Sequence, residues 1–349
     1  MATILVTGGA GFIGSAFVKF MLKNHGNVRI INLDLLTYAG NLENLASIEK
    51  DERYRFVHGD ICDRKLVSDL FTSSAIDSVV HFAAESHVDR SIRTPDVFVN
   101  TNVLGTLSLL DAAKTAWQTG EDAYRPGVKF VQVSTDEVYG SLGAEGFFTE
   151  DTPLDPHSPY SASKASADLM VKAYADTYKL PVNITRCSNN YGPYQFPEKL
   201  IPLMINNALA RKELPVYGDG LQVRDWLFVD DHCKAIEMVL QNGRPGEVYN
   251  IGGHNERTNI AIVKTILEYL GRNVDASIDE TLIRHVTDRK GHDRRYGIDP
   301  AKITAELGWT PETNFDAGIV KTIDWYLANK EWMARVTSGE YHETVYGRG

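Results

Sequence analysis

Residues 8–14 read Gly-Gly-Ala-Gly-Phe-Ile-Gly, and this stretch decides the predicted fold. Three of its glycines fit the pattern Gly-x-Gly-x-x-Gly, with an apolar strand-like run at 3–7 before it and a helical pattern at 12–23 after it. Such a loop makes a tight turn and lets a pyrophosphate sit on the helix N-terminus, where free N–H groups and the helix dipole favour anions. The sequence therefore predicts a dinucleotide-binding loop, and an ordinary glycine turn is the alternative.

The second predicted strand, 28–34, ends in a carboxylate that bears on the choice of dinucleotide. Asp34 follows Gly14 by about 20 residues, the spacing typical of dinucleotide-binding folds. A carboxylate there accepts hydrogen bonds from both ribose hydroxyls and repels a 2′-phosphate, so the sequence predicts NAD rather than NADP. Asp60-Ile61 and Ala83-Ala84 also follow strands, where they either pack around the adenine and ribose or are simply small residues at strand ends.

Short apolar runs alternate with amphipathic helical patterns through the first half of the chain, which predicts a parallel sheet with right-handed crossovers. The predicted strands are 3–7, 28–34, 55–58, 78–82, 129–134 and 182–186, and the longer predicted helices are 12–23, 97–116 and 161–178. A further helix at 230–241 and a strand at 247–250 are expected to return to this sheet. We expect an α/β fold: a Rossmann-type doubly wound parallel sheet with a smaller C-terminal substrate-binding α/β lobe. The predicted domains are 1–187 plus about 229–256, which carries the glycine loop for NAD, and a second domain of 188–228 with 257–349.

Composition excludes several classes of protein. The 349 residues carry 36 Lys and Arg against 46 Asp and Glu, a net charge of −10, which argues against nucleic acid or an anionic membrane as the main partner. Three scattered cysteines are too few for a disulfide framework or a zinc site, so no metal is expected. The sequence shows no signal peptide and no apolar run long enough for a transmembrane helix, so the expected location is the cytoplasm.

A tyrosine and a lysine four residues apart begin the predicted helix near residue 160. Tyr160 and Lys164 share one helix face, so both can reach the same ligand. A tyrosine is ordinarily a poor base, with a pKa of about 10. A neighbouring ammonium and the positive ring of NAD⁺ both favour the phenolate and lower that pKa. The pair therefore indicates a catalytic base beside a nicotinamide.

The glycine loop and the Tyr160/Lys164 pair together resemble the extended short-chain dehydrogenase/reductase family over nearly the whole chain. The resemblance implies NAD on the N-terminal sheet, a nucleotide-sugar under the C-terminal lobe, and Tyr160 as the base that starts hydride transfer. It implies NAD contacts from Gly8, Gly11, Phe12, Ile13, Gly14, Asp34, Leu35, Leu36, Thr37, Asp60, Ile61, Ala83, Ala84, Glu85, Ser86, Thr101, Tyr160, Lys164 and Asn190.

The fifth predicted strand ends in Thr135-Asp136-Glu137, which adds chemistry that simple dehydrogenation does not need. Eliminating water requires a base for carbon and an acid for oxygen, and neighbouring carboxyls in unlike environments can divide those roles. The structural alternative is a helix N-terminus, where acidic side chains are electrostatically favoured. We expect Glu137 to act as the base, Asp136 as the acid, and Thr135 to hold a sugar oxygen.

This triplet resembles the dehydratase branch of that family, as do the runs at 83–91 and 188–200. The resemblance implies dTDP-glucose as the substrate and a deoxysugar pathway as the context. Related epimerases share the glycine loop and the Tyr-Lys pair but usually lack the paired carboxyls. An epimerase, a dehydratase acting on another nucleotide, and a non-catalytic NAD-sensing protein remain the alternatives.

A diphosphate needs cationic groups and fixed donors, and several basic residues cluster in the second half of the chain. By resemblance, the substrate site comprises Ser86, His87, Thr135, Asn189, Lys199, Leu200, Pro215, Val216, Tyr217, Arg224, Asn259, Arg289, His292 and Tyr296. Relatives more often have proline where this chain has Lys290, which concerns the stiffness of that loop. Any one basic residue alone is more often a solvated surface charge.

The predicted helices 97–116 and 161–178 carry small residues beside apolar ones: Gly105, Ala112, Ala113, Ala162, Ala165, Ala167 and Ala173. In the family that they resemble, such helices form a homodimer through a four-helix bundle. The alternative is that they pack only onto their own sheet. The three cysteines are expected to be inert packing residues.

Overall fold

A parallel sheet with helices on both faces dominates the computed structural model, which describes residues 2–338. The strands are β1 (Ala2–Thr7), β2 (Val28–Asp34), β3 (Tyr54–His58), β4 (Ser78–His81), β5 (Gln118–Gly120), β6 (Ala123–Tyr124), β7 (Lys129–Thr135), β8 (Val182–Cys187), β9 (Asn189–Tyr191), β10 (Leu214–Tyr217), β11 (Val223–Phe228), β12 (Val248–Ile251), β13 (Glu256–Thr258) and β14 (Ile283–Val286). Seven of them form the sheet in the order β12-β8-β7-β4-β1-β2-β3, and every neighbouring pair is parallel. The predicted Rossmann-type α/β fold is confirmed.

The helices connect these strands as crossovers or cover the second lobe. They are α1 (Phe12–Asn24), α2 (Arg64–Ser74), α3 (Val88–Arg93), α4 (Pro95–Phe98), α5 (Thr106–Trp117), α6 (Pro159–Tyr178), α7 (Leu200–Leu209), α8 (Val229–Asn242), α9 (Asn259–Asn273), α10 (Ala301–Leu307), α11 (Phe315–Ala328) and α12 (Lys330–Ser338). Short 3₁₀ turns occupy Leu42–Ile48, Asp136–Tyr139 and Glu280–Leu282, and a π-helical segment occupies Val99–Gly105. No helix of the described part of the chain combines the length and apolar character that crossing a membrane requires.

The predicted helix at 97–116 is interrupted, and a tertiary contact explains why. The structure has α4, then the π-helical segment, then α5. Within the π-helical segment, Asn102 is buried and its amide binds both backbone groups of Glu85 and the hydroxyl of Ser163, at 2.8–3.0 Å. The wider turn therefore anchors the loop after β4 to α6, the helix that carries Tyr160 and Lys164.

Apolar cores on both faces hold the main sheet, and a further core lies in the C-terminal lobe. Buried side chains of α1 and α8 cover one face of the sheet, and those of α2, α5 and α6 cover the other. The lobe has its own core around α7, α9 and α11, with a β10-β14 pair and a three-stranded β13-β11-β9 sheet. This layering leaves the carboxyl ends of β1, β4, β7 and β8 facing the lobe, the place where α/β sheets bind ligands.

The return of the chain to the main sheet follows the sequence analysis. Helix α8 packs in the core beside α1, and β12 pairs with β8 in parallel, as expected for 230–241 and 247–250. The domain division at residues 187 and 188 stays a prediction. The last part of the predicted second domain, 339–349, lies outside the described residues.

Candidate active site

The glycine loop is shaped by close backbone contacts between β1, β4 and α1. Gly8 has a φ of +70°, and a Cβ there would lie 2.6 Å from the backbone nitrogen of Ala83, so only glycine fits. A Cβ on Gly14 would collide with the carbonyl oxygen of Gly8, which brings α1 close against the loop. Gly11 is the N-cap of α1 and no side chain caps that helix, so its first N–H groups suit a pyrophosphate. The residues present therefore fit a dinucleotide.

Asp34 is fixed at the end of β2 by main-chain hydrogen bonds. Its Oδ2 accepts from the N–H of Ala10 at 2.9 Å and its Oδ1 accepts from the N–H of Leu36 at 2.8 Å. Burial raises the pKa of this carboxyl, while the two N–H donors oppose the rise. Each oxygen keeps a second lone pair, so the held carboxylate can still accept from ribose hydroxyls.

The structure brings the residues predicted to bind NAD into one cavity, with one exception. That cavity is lined by Gly8, Gly11, Phe12, Ile13, Gly14, Asp34, Leu35, Thr37, Asp60, Ile61, Ala83, Ala84, Glu85, Ser86, Thr101, Tyr160, Lys164 and Asn190, together with Thr135, Asp136 and Glu137. Leu36 is the exception, because its side chain is buried in the apolar core and only its N–H reaches Asp34. The predicted NAD contact of Leu36 stays a prediction.

A second cavity adjoins the first and collects the residues predicted to bind the substrate. Its lining includes Ser86, His87, Asn189, Lys199, Leu200, Pro215, Val216, Tyr217, Arg224, Asn259, Arg289, His292 and Tyr296. Thr135 lines the first cavity instead of the second, consistent with a place at their junction. The two cavities share Ser86, Glu137, Asn189, Gln195, Glu198 and Lys199, so a ligand in one reaches the wall of the other.

The start of α6 holds Tyr160 and Lys164 against β7. Ser158 caps the helix and forms a reciprocal capping box with Ser161, so Tyr160 lies in the first turn. The Nζ of Lys164 donates to the carbonyl of Val133 at 2.8 Å. Burial lowers the pKa of Lys164, and the nearby Asp168 carboxylate opposes that shift.

The pKa of Tyr160 departs from the sequence-based expectation. In the chain without a dinucleotide, burial and the neighbouring Glu137 carboxyl raise the pKa of Tyr160 well above its usual value, while the Thr135 hydroxyl acts in the opposite direction. The expected lowering combined Lys164 with the positive ring of NAD⁺; in the chain by itself, burial is the largest effect on this pKa. The positive charge of a nicotinamide ring would act against this rise and favour the phenolate.

The end of β7 places the two adjacent carboxyls in different surroundings. Thr135 caps the 3₁₀ turn Asp136–Tyr139, and its Oγ1 lies 3.3 Å from both the Asp136 Oδ1 and the Glu137 nitrogen. Burial raises the pKa of Asp136 well above its usual value, and the carboxyls of Glu137 and Asp225 raise it further. Its Oδ2 is buried with no hydrogen-bond partner among residues 2–338.

Glu137 differs because three cations oppose the effect of its burial. Burial raises the pKa of Glu137, but Arg224, Lys199 and Arg289 all lower it. The pKa of both carboxyls is raised, more strongly for Asp136, and the two side chains stand next to each other on the cavity wall. The backbone at Asp136 and Glu137 does begin a short helical turn, as the structural alternative predicted, but both side chains line the cavity.

The second cavity is organised around a buried arginine. The guanidinium of Arg224 donates to the carbonyl of Asp293 at 2.9 Å and stacks over the Tyr296 ring at 4.1 Å. The hydroxyl of Tyr296 donates to Asp293 Oδ2 at 2.6 Å. Arg289 pairs with Asp89 at 3.1 Å. These cations can hold a diphosphate in fixed positions.

The loop with Lys290 turns at the following residue. Gly291 has a φ of +64° and lines the second cavity, whereas Lys290 is exposed. The departure from proline therefore lies on the outer side of the loop.

Several lining residues were missed from the sequence. Gln195, Phe196 and Glu198 line the first cavity, and Asp293 lines the second. Cys187 lines the first cavity and also packs in the apolar core, and burial raises its thiol pKa to about 12. Gln195, Phe196 and Glu198 lie in the 188–200 run that the sequence analysis singled out, but the pattern of that run does not indicate which of its side chains reach the site.

Comparisons with known proteins agree with this geometry. A family model described as GDP-mannose 4,6 dehydratase matches residues 5–322, and the chain belongs to this family. A curated relative, the dTDP-glucose 4,6-dehydratase of Xanthomonas campestris pv. campestris (strain B100), is 56% identical over 344 residues, which cover 98% of this chain and 97% of the relative.

Solved structures give the same result. The dTDP-glucose 4,6-dehydratase of Bacillus anthracis str. Ames, in complex with NAD, is 52% identical with a TM-score of 0.87, and the match covers 96% of this chain and 100% of that chain. The dTDP-glucose 4,6-dehydratase of Streptomyces venezuelae, with NAD and TYD bound, is 50% identical with a TM-score of 0.88, covering 96% and 99%.

Proposed function

We propose that this chain is an NAD-dependent hydro-lyase that converts dTDP-glucose to dTDP-4-keto-6-deoxyglucose in deoxysugar biosynthesis. The observation that carries the proposal is the pair Asp136 and Glu137, adjacent in sequence and in unlike environments. Both line the first cavity, and Glu137 also lines the second. The relatives described above support the substrate and the cofactor. An epimerase has no use for this pair.

The first step is a proton transfer at carbon 4 of glucose. Tyr160 removes the proton from the 4-hydroxyl, and the Thr135 hydroxyl, at the end of β7, holds that oxygen. The Nζ of Lys164 is held in place beside the site by the carbonyl of Val133. NAD, when bound in the first cavity, supplies a reversible hydride acceptor. The residues proposed to hold it are the glycine loop and Asp34, with Lys164 at the ribose.

The elimination of water uses the two carboxyls. The carbonyl at carbon 4 acidifies the proton on carbon 5, and Glu137 removes that proton. Asp136 stays protonated because of its burial and its acidic neighbours, so it can donate its proton to the hydroxyl leaving carbon 6. Carbon 5 is reprotonated as carbon 6 is reduced, so the overall reaction is redox-neutral.

The diphosphate and the sugar are held by the second cavity. Lys199, Arg224 and Arg289 supply positive charge, and each also lowers the pKa of Glu137. Binding the substrate's anionic group by these three residues therefore also adjusts the base. The proposal assigns the remaining predicted residues of this cavity to the nucleoside and sugar.

A panel of nucleotide-glucoses tests the proposed substrate. We expect dTDP-glucose to give the highest kcat/KM among thymidine, uridine, cytidine and guanosine diphosphoglucose, with a 4-keto product that absorbs in alkali. A higher value for another nucleotide would change the assigned substrate. A galactose-type product would indicate an epimerase, and no turnover with bound NAD would indicate a sensor.

We further propose a homodimer formed through a four-helix bundle. Apolar side chains on the helical segments 97–105 and α6 are exposed: Val97 by 37%, Val99 by 50%, Leu104 by 48% and Leu169 by 57%. Exposed apolar patches of this kind mark interaction sites. Most of the small residues in these helices, such as Ala113 and Ala167, are buried within the chain, so the exposed side chains carry this proposal.

Replacing Leu169 by glutamate tests the dimer. An uncompensated charge in an apolar interface costs about 3 kcal/mol or more, so we expect the dissociation constant to rise at least about 100-fold. Sedimentation velocity measures the change. Leu221→Glu is the control, since Leu221 is 46% exposed in the segment between β10 and β11, outside these helices. Unchanged sedimentation of Leu169→Glu, or dissociation of the control, contradicts the proposed interface.

The proposed location is the cytoplasm. Cys62, Cys187 and Cys233 are all free thiols, which supports a reducing compartment.

A further inference from the structure

A loop of the C-terminal lobe forms part of the wall of the NAD cavity. Gln195, Phe196, Glu198 and Lys199 lie between β9 and α7, and they line the same cavity as the glycine loop. The helix that follows this loop packs in the separate core of the lobe. The cavity is therefore closed partly by the Rossmann sheet and partly by a loop from elsewhere in the fold.

A tyrosine on the opposite wall is bonded to this loop. The Oη of Tyr38 donates to Glu198 Oε1 at 2.9 Å, across 160 positions of sequence. The edge of the Tyr38 ring meets Phe196, with ring centroids 5.6 Å apart. Tyr38 follows β2 and lies between Thr37 and Ala39, two lining residues of the NAD cavity. The hydrogen bond therefore spans from the loop after β2 to the loop of the C-terminal lobe.

The loop after β4 adds contacts on the other side of the same bond. Glu198 Oε2 lies 3.5 Å from His87 Nε2, and Lys199 Nζ donates to the carbonyl of Ser86 at 3.2 Å. The guanidinium of Arg90 stacks over the Tyr38 ring at 4.0 Å. Burial and Glu198 raise the pKa of Tyr38, so its hydroxyl stays protonated and continues to donate. Three separate segments thus meet at Tyr38 and Glu198.

We propose that Tyr38 and Glu198 form a clasp that retains the dinucleotide through each turnover. The inference rests on the proposed function, in which the hydride taken from carbon 4 must return to the same sugar. If the dinucleotide leaves between these events, the sugar remains oxidised and the chain is inactive. Tyr38 and Glu198 are positioning residues: they act by holding the 195–199 loop over the cavity.

The release rate of NAD from the holoenzyme tests the clasp. Tyr38→Phe removes the donated O–H but keeps the ring against Phe196 and Arg90. A hydrogen bond to a charged acceptor contributes enough for a change of at least about tenfold, so we expect NAD to leave about tenfold faster. Rapid gel filtration of NAD-loaded protein, with the retained nicotinamide quantified after denaturation, measures this rate without any turnover.

A double-mutant cycle separates the clasp from general damage to the loop. Glu198→Ala removes the acceptor, and we expect Tyr38→Phe to have little further effect in that background. Tyr54→Phe is the matched control: its hydroxyl accepts from Asn32 at 3.0 Å, and Tyr54 lines neither cavity, so its release rate should match the wild type. Additive effects of the two substitutions would overturn the clasp, and so would wild-type release from Tyr38→Phe.

Turnover experiments keep this inference distinct from the proposed function. With dTDP-glucose, Tyr38→Phe should lose activity progressively and recover it when NAD is added, because some cycles end with a lost dinucleotide. If wild type did not dehydrate dTDP-glucose while Tyr38→Phe still released NAD faster, the function would fail and the clasp would stand. If wild type dehydrated dTDP-glucose normally and Tyr38→Phe released NAD at the wild-type rate, the proposed function would stand and the clasp would fail.

Discussion

Glu137→Gln is expected to lower the turnover of dTDP-glucose by about 10³-fold while leaving the first oxidation in place. Removing a general acid–base group typically costs about 10²–10⁴-fold. Glutamine keeps the shape of the side chain, but it cannot accept the proton on carbon 5. The site should therefore stall after oxidation, with reduced nicotinamide accumulating on the protein. Stopped-flow absorbance of the nicotinamide, alongside product formation, measures both steps.

A glutamate outside the cavities provides the control for this substitution. Glu150 accepts from the N–H of Asn250 at 2.8 Å and lines neither cavity. Glu150→Gln should turn over at nearly the wild-type rate. If Glu137→Gln also retained near-normal dehydration, the assignment of Glu137 as the base would be wrong.

Tyr160→Phe is expected to stop the reaction one step earlier. Phenylalanine fills the same buried volume but cannot remove the proton from the 4-hydroxyl, so turnover should fall by about 10²–10⁴-fold. No reduced nicotinamide should form, which distinguishes this variant from Glu137→Gln. Bound NAD, measured after denaturation, should remain near one per chain because the glycine loop and Asp34 are unchanged.

The matched control for Tyr160 is another buried tyrosine. Tyr249 is fully buried, its hydroxyl binds Arg244 and Glu306, and it lines neither cavity. Tyr249→Phe should oxidise dTDP-glucose at the wild-type rate when folded. Accumulation of reduced nicotinamide in Tyr160→Phe at the wild-type rate would show that a different group removes the proton.

Local patterns predicted those parts of the fold and site that depend on neighbours in sequence. The glycine loop combines a turn, a preceding strand and a following helix within about a dozen residues, so its role is readable directly. The four-residue spacing of Tyr160 and Lys164 fixes a common helix face in the same way. The buried apolar run of β1 is typical of a strand in a parallel sheet.

Features that depend on distant contacts were not predictable in this way. The π-helical turn at 99–105 exists where Asn102 binds Glu85 and Ser163, and nothing local to the segment specifies those partners. Leu36 was assigned to the cavity by resemblance, but the conformation of its backbone, with φ of +55°, accompanies a side chain buried in the core. Tyr38 and Glu198 meet only because two loops converge on one cavity.

The same limit applies to charge. Sequence indicated that Asp136 and Glu137 are neighbours, but their different pKa shifts arise from Asp225, Arg224, Lys199 and Arg289, which come from later segments. The burial that raises the pKa of Tyr160 is likewise a property of the folded chain. Motifs therefore pointed to the candidate reacting groups, and the tertiary fold supplies the different surroundings on which the proposed roles of acid and base depend.

The most direct test of the central claim is the chemical identity of the sugar held by Glu137→Gln after a single turnover. The enzyme is mixed in excess with dTDP-glucose, quenched, and the sugar nucleotide is analysed by mass spectrometry. If Tyr160 serves the oxidation and the paired carboxyls serve the elimination, the sugar is a 4-keto sugar that has lost two hydrogens and kept its oxygen at carbon 6. A sugar that has already lost water would contradict the account, because elimination would then proceed without Glu137.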